Sequence, residues 1–151
     1  NSREEVIKNL VYVEWCPKLG GKPILFTKVA GAAEALKRVS DELDSHPEFK
    51  TWIADAQTFN WRTIFGTTRL SPHSYGIAID MAIAHSHYWR WTCPYANEHD
   101  VITYHNTFNM KIVEIFERNG FIWGGRWYHF DTMHFEYRPE MNMPEHGIAA
   151  N

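Results

Sequence analysis

The stretch that decides the fold is Arg69–Asp80, which reads "RLSPHSYGIAID". It carries a histidine, a glycine and an aspartate into a short apolar run. Alternate residues of a strand share a face, so Ala78 and Asp80 point to one side while the alternating isoleucines point to the core. Burying a bare carboxylate costs free energy unless it is paired or binds a metal. Gly76 permits a tight bend, so we predict that His73 folds back and shares a metal ion with Asp80.

A second cluster lies in Gly120–Glu140, "GFIWGGRWYHFDTMHFEYRPE". Asp131 precedes His134 by three residues, and His134 opens an apparent strand on which Glu136 shares its face. Two histidines, one aspartate and a water form a catalytic type of zinc site, with three protein ligands and one open position. We therefore predict a single zinc ion held by residues from both clusters.

Chance is the alternative explanation for this pattern. Nine histidines in 151 residues produce some spacings of this kind without any metal. If neither cluster bound a metal, two carboxylates would lie in apolar strands, and each would need its own hydrogen-bonding partners. One shared ion accounts for both acids. A structural zinc site would normally have four ligands, often thiolates, and the cysteines Cys16 and Cys93 lie far from these histidines in sequence.

The periodicity of apolar residues predicts an α+β fold, with a small, mainly antiparallel sheet flanked by helices and the zinc site in a cleft on that sheet. The predicted helices are 29–43, ending before His46-Pro47, and 108–119, ending at Gly120. The predicted strands are 10–13, 24–26, 52–54, 77–82, 121–123 and 134–137. We expect a single domain over 1–151, with an N-terminal arm over 1–27 and a core over about 28–140. The irregular, aromatic segment 84–106 is predicted to be a lid or a wall over a site.

Composition excludes several classes of protein. The net charge is −3 and Lys and Arg are scattered, so nothing indicates a nucleic-acid partner. No apolar run approaches the roughly 20 residues that a membrane-spanning helix needs. The two cysteines either form one disulfide in an oxidising compartment or remain as free thiols.

Taken together, these motifs resemble a known family. The pattern Ser71-x-His73-x-x-Gly76-x-Ala78-x-Asp80, followed by Asp131-x-x-His134, resembles the LAS-type zinc peptidases. More narrowly, it resembles the branch of D-alanyl-D-alanine carboxypeptidases and L-alanyl-D-glutamate peptidases that cut the stem peptides of the bacterial cell wall. The resemblance runs from about residue 31 to residue 140. Asp131, where some relatives carry glutamate, and Trp123-Gly124-Gly125-x-Trp127 look more like the endolysin and L-alanyl-D-glutamate branch.

The resemblance implies a role for each matching residue. It implies that His73, Asp80 and His134 bind zinc and that Asp131 is the catalytic carboxylate. Phe59-Asn60-Trp61-Arg62 resembles the aromatic-Arg element of the family, whose arginine faces the substrate, although Trp61 stands where tyrosine is usual. Arg62 is therefore the expected catalytic cation.

Further residues are candidates for substrate binding, each with a structural alternative. Arg69 is a second candidate for the role of Arg62, or a plain surface residue. Ser71 either fixes a substrate carbonyl or carboxylate, or caps a turn. Trp127 is expected to wall the cleft beside the two glycines, and His129 either contacts substrate or lies on the surface. Glu136 either orients a ligand histidine or is a solvated strand residue. The neighbouring Trp123 either walls the cleft or belongs to the core.

The function that these residues predict is zinc-dependent hydrolysis of an amide bond in a peptidoglycan stem peptide, by attack of metal-bound water. L-alanyl-D-glutamate endopeptidase and D-alanyl-D-alanine carboxypeptidase activities both fit. A zinc-containing module of the same fold that binds cell wall or protein without catalysis is the alternative. We expect a monomer that acts in the periplasm or after secretion from bacteria, or an endolysin-like protein from a phage.

Overall fold

The computed structural model of the protein describes residues 2–141. The helices are α1 Arg3–Lys8, α2 Ala32–Asp44, α3 Trp89–Thr92 and α4 Met110–Arg118. The strands are β1 Leu10–Val13, β2 Ile24–Thr27, β3 Ala78–Asp80, β4 Phe121–Trp123 and β5 His134–Tyr137. Short 3-10 turns connect several of them. The predicted α+β class, with small antiparallel sheets and flanking helices, is confirmed.

The strands form two sheets rather than one. β1 and β2 make an antiparallel hairpin, and a separate three-stranded antiparallel sheet has the order β3-β5-β4. In its register Asp80 is paired with His134, and Ala78 with Glu136. Residues paired across neighbouring strands lie on the same face. The register therefore places an acid and a histidine from distant parts of the chain side by side.

Both long helices begin later than their apolar periodicity predicts. α2 begins at Ala32 rather than at residue 29, because Ala30 and Gly31 have left-handed backbone angles, with φ of +55° and +79°. α4 begins at Met110 because Asn109 caps it: the Asn109 side chain accepts a hydrogen bond from the backbone N–H of Lys111 at 2.9 Å. The apolar positions of both helices face the core as predicted.

One predicted strand is absent, and one helix was not predicted. The predicted strand 52–54 is absent, because the 3-10 helix Pro47–Trp52 runs into this segment and a turn follows it. Ile53 is buried in the core, and its carbonyl accepts a hydrogen bond from the Trp15 indole at 3.1 Å. Its apolar character thus reflects packing rather than strand pairing. The helix α1 was not predicted; it begins after Ser2, whose hydroxyl accepts a hydrogen bond from the backbone N–H of Glu5 at 3.2 Å.

The N-terminal segment packs within the main core. Trp15 and Phe26, which lie in the predicted arm 1–27, are buried in one apolar cluster with Leu36 of α2 and Phe116 of α4. Cys16 is buried in the same cluster as a free thiol, and Cys93 is also free, so the disulfide is not formed. No helix among residues 2–141 is long and apolar enough to cross a membrane.

Candidate metal centre

Three of the predicted site residues converge on one point beside the three-stranded sheet. Asp80 Oδ1 lies 2.8 Å from His134 Nδ1 across the β3–β5 pair, and Asp80 Oδ2 lies 3.2 Å from His73 Nε2. One ligand atom from each residue falls within 4.8 Å of the other two. Among the described residues, this is the one group of His, Cys, Asp or Glu side chains close enough to hold a metal ion.

The turn before β3 sets the position of His73. Residues Pro72–Tyr75 form a 3-10 turn whose first N–H groups are capped by the Ser71 hydroxyl, which accepts from His73 N at 3.3 Å. Gly76 ends the turn with φ of +69°, and its N–H donates to the His73 carbonyl at 3.2 Å. Glycine adopts this angle without the clash that a Cβ would bring. The predicted bend between His73 and the strand is therefore present, and Ser71 caps the turn.

Hydrogen bonds indicate which ring nitrogen of each histidine is available to a metal ion. His73 Nδ1 lies 2.7 Å from the Thr58 carbonyl, which can only accept, so Nδ1 carries a proton and Nε2 offers its lone pair. His134 Nε2 lies 2.9 Å from Glu136 Oε1, so His134 Nδ1 is the nitrogen available to the ion. Partners of this kind orient metal-binding imidazoles and fix their tautomer.

Glu136 is a buried contact of the site rather than a solvated strand residue. Its side chain is 8% exposed, and its second oxygen accepts from Arg138 Nε at 3.0 Å. Burial would raise the pKa of Glu136, but the hydrogen bond with His134 and the nearby Arg138 lower it. His134, Glu136 and Arg138 alternate along one strand face, so period-two spacing is the signal from which Arg138 could have been found. No comparable sequence signal marks Thr58.

The electrostatics of the group favour a cation. Burial would lower the pKa of His134, but hydrogen bonds to Asp80 and Glu136 raise it. Burial would likewise raise the pKa of Asp80, but its hydrogen bond with His134 and the nearby imidazole of His73 hold it well below its usual range. In addition, His73 Nε2 is buried and has no hydrogen-bond partner. A buried polar atom without a partner calls for an explanation such as an ion, and two imidazoles with one carboxylate are a donor set that suits zinc.

Asp131 faces the same cleft without belonging to the metal-binding group. Its backbone N–H donates to the Gly124 carbonyl at 2.9 Å, and its carboxylate atom Oδ1 is buried without a hydrogen-bond partner. Burial, aided by the negative charge of Asp80, raises the pKa of Asp131 to about 6. A carboxyl group with this pKa exchanges a proton readily near neutral pH, as a general base must.

The candidate site lies in a cleft of about 500 Å³. Five aromatic residues are among those that line it: Phe65, Tyr88, Trp89, Trp91 and Trp127. The segment 84–106 forms one wall through three hydrogen bonds to 130–132: His87 N–H to Thr132 Oγ1, Thr132 N–H to the His87 carbonyl, and Trp89 N–H to the Phe130 carbonyl. This segment was predicted to be a lid or a wall, and in the structure it forms a wall.

Five more predicted residues can be placed relative to the cleft. Arg62 is exposed and lines it, as do Ser71, Trp127 and His129. His129 stacks on Trp89 with ring centroids 4.1 Å apart, and its Nε2 lies 3.0 Å from the Glu98 carbonyl. Arg69 is exposed on the neighbouring loop and is not among the described residues that line the cleft. Contacts of these residues with a substrate remain predictions.

The paired glycines are required by the internal packing of the chain. A Cβ on Gly125 would lie 2.2 Å from the Trp123 ring, and one on Gly124 would lie 2.5 Å from the Asp131 carbonyl. Trp123 itself is 2% exposed, and its indole donates to the Thr132 carbonyl at 2.8 Å. Trp123 therefore belongs to the core, and the glycines let the chain pack closely around Asp131.

Comparison with known proteins supports one family. A family model described as D-alanyl-D-alanine carboxypeptidase, of the M15 peptidases, matches residues 65–137. The matched segment includes His73, Asp80, Asp131 and His134, and it ends before Arg138. Searches of the curated proteins and of the solved structures found no match. The match supports a metallopeptidase of the D-alanyl-D-alanine carboxypeptidase type without specifying the subtype.

Proposed function

We propose that this chain is a zinc-dependent peptidase that hydrolyses an amide bond in peptidoglycan stem peptides. The observation that carries the proposal is the meeting of His73, Asp80 and His134 in a cleft that also holds a buried carboxyl, Asp131, outside the metal-binding group. A purely structural metal site has no need of such an acid. The family match over residues 65–137 supports the same class of enzyme.

The ligand atoms proposed for the ion are His73 Nε2, a carboxylate oxygen of Asp80 and His134 Nδ1. Zinc, when bound, acts as a Lewis acid that lowers the pKa of a coordinated water from 15.7 to about 7. Three protein ligands leave a position open for that chemistry. Thr58 and Glu136 keep the two imidazoles oriented during turnover, because each holds the ring nitrogen that faces away from the ion.

Asp131 is proposed to move the protons of the reaction. It accepts one proton from the attacking water, and the oxygen of that water forms a bond to the amide carbon. Asp131 then donates the proton to the amide nitrogen as the carbon–nitrogen bond breaks, which yields an amine and a carboxylic acid that loses its remaining proton to solvent. Its pKa of about 6 leaves it mostly ionised at neutral pH yet able to carry a proton.

Arg62 is proposed to stabilise the negative charge that develops on the carbonyl oxygen. It is the one arginine or lysine among the described residues that line the cleft. Removing a donor of this kind from an enzyme typically costs about 3 kcal/mol of transition-state stabilisation, or roughly a hundredfold in rate. Such an enzyme acts where peptidoglycan lies, so we propose a periplasmic, secreted or phage-derived protein, active as a monomer.

The test compares wild type with Asp131→Asn on purified peptidoglycan, with released fragments identified by mass spectrometry. We expect wild type with one zinc to release peptide fragments or D-alanine. Asp131→Asn should bind zinc with the same stoichiometry and lose at least about a hundredfold in rate, since general acid–base catalysis contributes about 10²–10⁴-fold. Asp41→Asn, at an exposed i,i+4 ion pair of α2, is the matched control.

Two results would contradict the proposal. The first is a wild-type protein that binds zinc but releases no fragment, which would favour a non-catalytic binding module. The second is an Asp131→Asn protein that cleaves as fast as wild type, which would remove Asp131 from the mechanism.

A further inference from the structure

Tyr88 is a polar side chain of the cleft to which the proposed reaction assigns no part. It is half-buried and lines the same cavity as Arg62, Asp131 and His134. It belongs to the wall formed by segment 84–106, where it makes an isolated antiparallel bridge with Asp131. A polar group that faces a cleft beside the proposed general base is a candidate for contact with the substrate.

The backbone places the side chains of Tyr88 and Asp131 next to each other. The hydrogen bonds on either side of the bridge join the chain neighbours of these two residues, at 2.9 and 3.0 Å. Tyr88 and Asp131 are therefore a non-hydrogen-bonded antiparallel pair, the kind whose Cα atoms lie about 4.5 Å apart and whose side chains are closest. Both side chains thus leave the same face of the pair and enter the cleft together.

Asp131 in turn begins beside a proposed metal ligand. Its Cβ and the Cβ of His134 each lie 3.3 Å from the point that a Cβ on Gly124 would occupy, so the two side chains start close together. Tyr88 carries its hydroxyl at the far end of a benzene ring, whereas the Asp131 carboxyl is bonded directly to Cβ. The hydroxyl therefore extends further from the paired backbone than the carboxyl, which suits contact with a substrate rather than with Asp131 itself.

The surroundings of the Tyr88 phenol keep it protonated and able to donate. Burial raises the pKa of Tyr88, and the negative charge of Asp131 raises it further. Three nearby groups act in the opposite direction more weakly: Arg90, the Trp89 indole and Arg62. The net direction is upward, so the phenol carries its proton at neutral pH. The Trp89 indole can only donate, so it does not compete for that proton.

Aromatic neighbours hold the Tyr88 ring in place. Tyr88 meets Trp91 edge to face with ring centroids 6.0 Å apart, and Trp89 with centroids 6.5 Å apart. A donor that is oriented before the reaction needs no reorganisation when charge develops, which is what makes such donors effective. Arg62, by comparison, is exposed, and water weakens the field of an exposed charge.

We propose that Tyr88 is a catalytic residue whose hydroxyl donates a hydrogen bond to the substrate carbonyl oxygen as that oxygen becomes negative. The inference rests on the proposed peptidase function and adds a neutral donor to the cation Arg62. The oxygen gains its charge when the water oxygen bonds to the amide carbon, and it loses the charge when the carbon–nitrogen bond breaks. The hydrogen bond is strongest in between, so it lowers the barrier without tightening the binding of the substrate.

Tyr88→Phe tests the proposal, because it removes the hydroxyl and keeps the ring. With zinc-loaded protein and a synthetic stem peptide that contains both the L-alanyl-D-glutamate and the D-alanyl-D-alanine bond, we expect kcat to fall about 100-fold. KM should change little, because the interaction is made only in the transition state. Zinc content and the urea midpoint should stay at wild-type values. Tyr95→Phe is the matched control, since Tyr95 is 96% exposed and does not line the cleft.

A transition-state analogue separates direct contact from an effect through Asp131. The probes are phosphinates of the same two dipeptide units, in which a tetrahedral phosphorus replaces the scissile carbonyl carbon, and calorimetry measures their dissociation constants. Tyr88→Phe should weaken binding of the tighter phosphinate by about the same factor as it lowers kcat/KM. The weakening should persist in the Asp131→Asn background, because the contact is with an oxygen of the ligand.

The possible failures are distinguishable. A rate of Tyr88→Phe equal to that of Tyr95→Phe would overturn the inference and leave the peptidase intact. A loss of phosphinate affinity confined to proteins that retain Asp131 would also overturn it, since Tyr88 would then act through that carboxyl. So would a loss of zinc or of stability that accompanies the fall in rate, because Tyr88 would then have a packing role.

If wild type cuts neither bond, the proposed function fails, and phosphinate binding still decides the role of Tyr88. Weaker binding by Tyr88→Phe than by Tyr95→Phe would support the contact. Equal binding by the two variants, or no binding by wild type, would refute it.

Discussion

At the scale of single residues, the candidate site is specified by the partners of its histidines as much as by the ligands. His134 lies between two carboxylates, one in the metal-binding group and one, Glu136, on the far side of the ring. The charge of Glu136 draws the Nε2 proton toward itself and makes Nδ1 a better electron donor. Arg138 holds Glu136 in place from the opposite side. This chain of contacts is expected to tune metal affinity.

Glu136→Gln tests that expectation. The substitution keeps the size and one accepting oxygen but removes the negative charge that polarises His134. We expect zinc affinity to fall by about 10- to 100-fold, as is usual when an outer partner of a ligand is replaced. Competition with a chromophoric chelator measures this directly. Glu140→Gln, the same change at an exposed residue of the same region, should leave affinity unchanged; equal affinities in both variants would show that Glu136 has no influence on the ion.

The two free cysteines are expected to differ sharply in reactivity. Burial raises the pKa of Cys16 to about 12, and its backbone N–H donates to Ser40 Oγ at 2.8 Å inside the core. Because the thiolate is the reactive form, Cys16 should resist a thiol reagent at pH 8. Cys93 is only half-buried. We expect one thiol to titrate in the native protein and two after denaturation, and fast labelling of native Cys93→Ser would contradict this.

The sequence leads to the candidate metal-binding group, which the structure brings together, but not to the partners of its histidines. Asp80 stands out because an acid in an apolar strand needs a reason, and that reasoning leads to His73 and His134 without a structure. Thr58 acts through its carbonyl oxygen, which every residue possesses, so its side chain carries no signal. Ser71 shows a further limit: a hydroxyl near a site predicts substrate contact and turn capping equally, and only the geometry reveals the cap.

At the scale of elements, the turn between His73 and β3 determines whether the ligands meet. Gly76 has φ of +69° and approaches the N-terminal hairpin closely: a Cβ there would lie 2.6 Å from Leu10 Cδ2 and 3.3 Å from Thr27 N. The Gly76 carbonyl also accepts from Thr27 N at 2.9 Å. The turn that carries His73 is thus packed against β2 and hydrogen-bonded to it.

Gly76→Ala is expected to destabilise the protein in two ways. The left-handed backbone costs a Cβ-bearing residue roughly 1–2 kcal/mol, and the clash with Leu10 adds about 1–3 kcal/mol of overpacking. Gly66→Ala isolates the first effect, because Gly66 has φ of +78° but nothing within 4 Å of an added Cβ. Urea denaturation measures both free energies of unfolding. Equal losses of unfolding free energy in the two variants would show that the close approach of Gly76 to its neighbours does not contribute to the loss.

Element boundaries were predicted less accurately than element types. The apolar spacing of 29–43 and 108–119 reports which face is buried, but the first turn of each helix depends on backbone angles and caps at Ala30, Gly31 and Asn109. The wrong strand at 52–54 likewise reflects what apolar spacing leaves undetermined. A short apolar run satisfies a buried turn as well as a strand, and periodicity over three residues cannot separate them.

At the scale of the whole molecule, the N-terminal hairpin is part of the fold that carries the site. Trp15 is 1% exposed, lies near Phe116 with ring centroids 6.4 Å apart, and hydrogen bonds to the Ile53 carbonyl. The sequence predicts an N-terminal arm over 1–27, in which Pro17, Gly20, Gly21 and Pro23 lie between two apolar runs. Pro17–Leu19 form a 3-10 turn that ends at Gly20. Gly21 then packs closely on the chain, because a Cβ there would lie 1.8 Å from the Trp15 carbonyl.

Trp15→Ala should therefore behave as a core substitution. We expect it to lower the free energy of unfolding by about 3–5 kcal/mol, the usual cost of removing a buried Trp or Phe side chain. Tyr12→Ala is the control, because Tyr12 lies in the same hairpin but is 74% exposed, and it should change stability by less than about 0.5 kcal/mol. Urea unfolding of the metal-free proteins measures both.

The unfolding curve of Trp15→Ala distinguishes two descriptions of residues 1–27: an arm attached to an independent core, or a part of that core. If residues 1–27 were an arm attached to an independent core, Trp15→Ala would unfold the hairpin alone, and the main transition monitored by circular dichroism would keep its midpoint. If the hairpin completes the core, the whole transition shifts to lower urea with an unchanged slope, because one cooperative unit has lost stability. The second result is expected, since Trp15 packs near Phe116, which stacks on Phe135 at 3.9 Å, one position along β5 from His134.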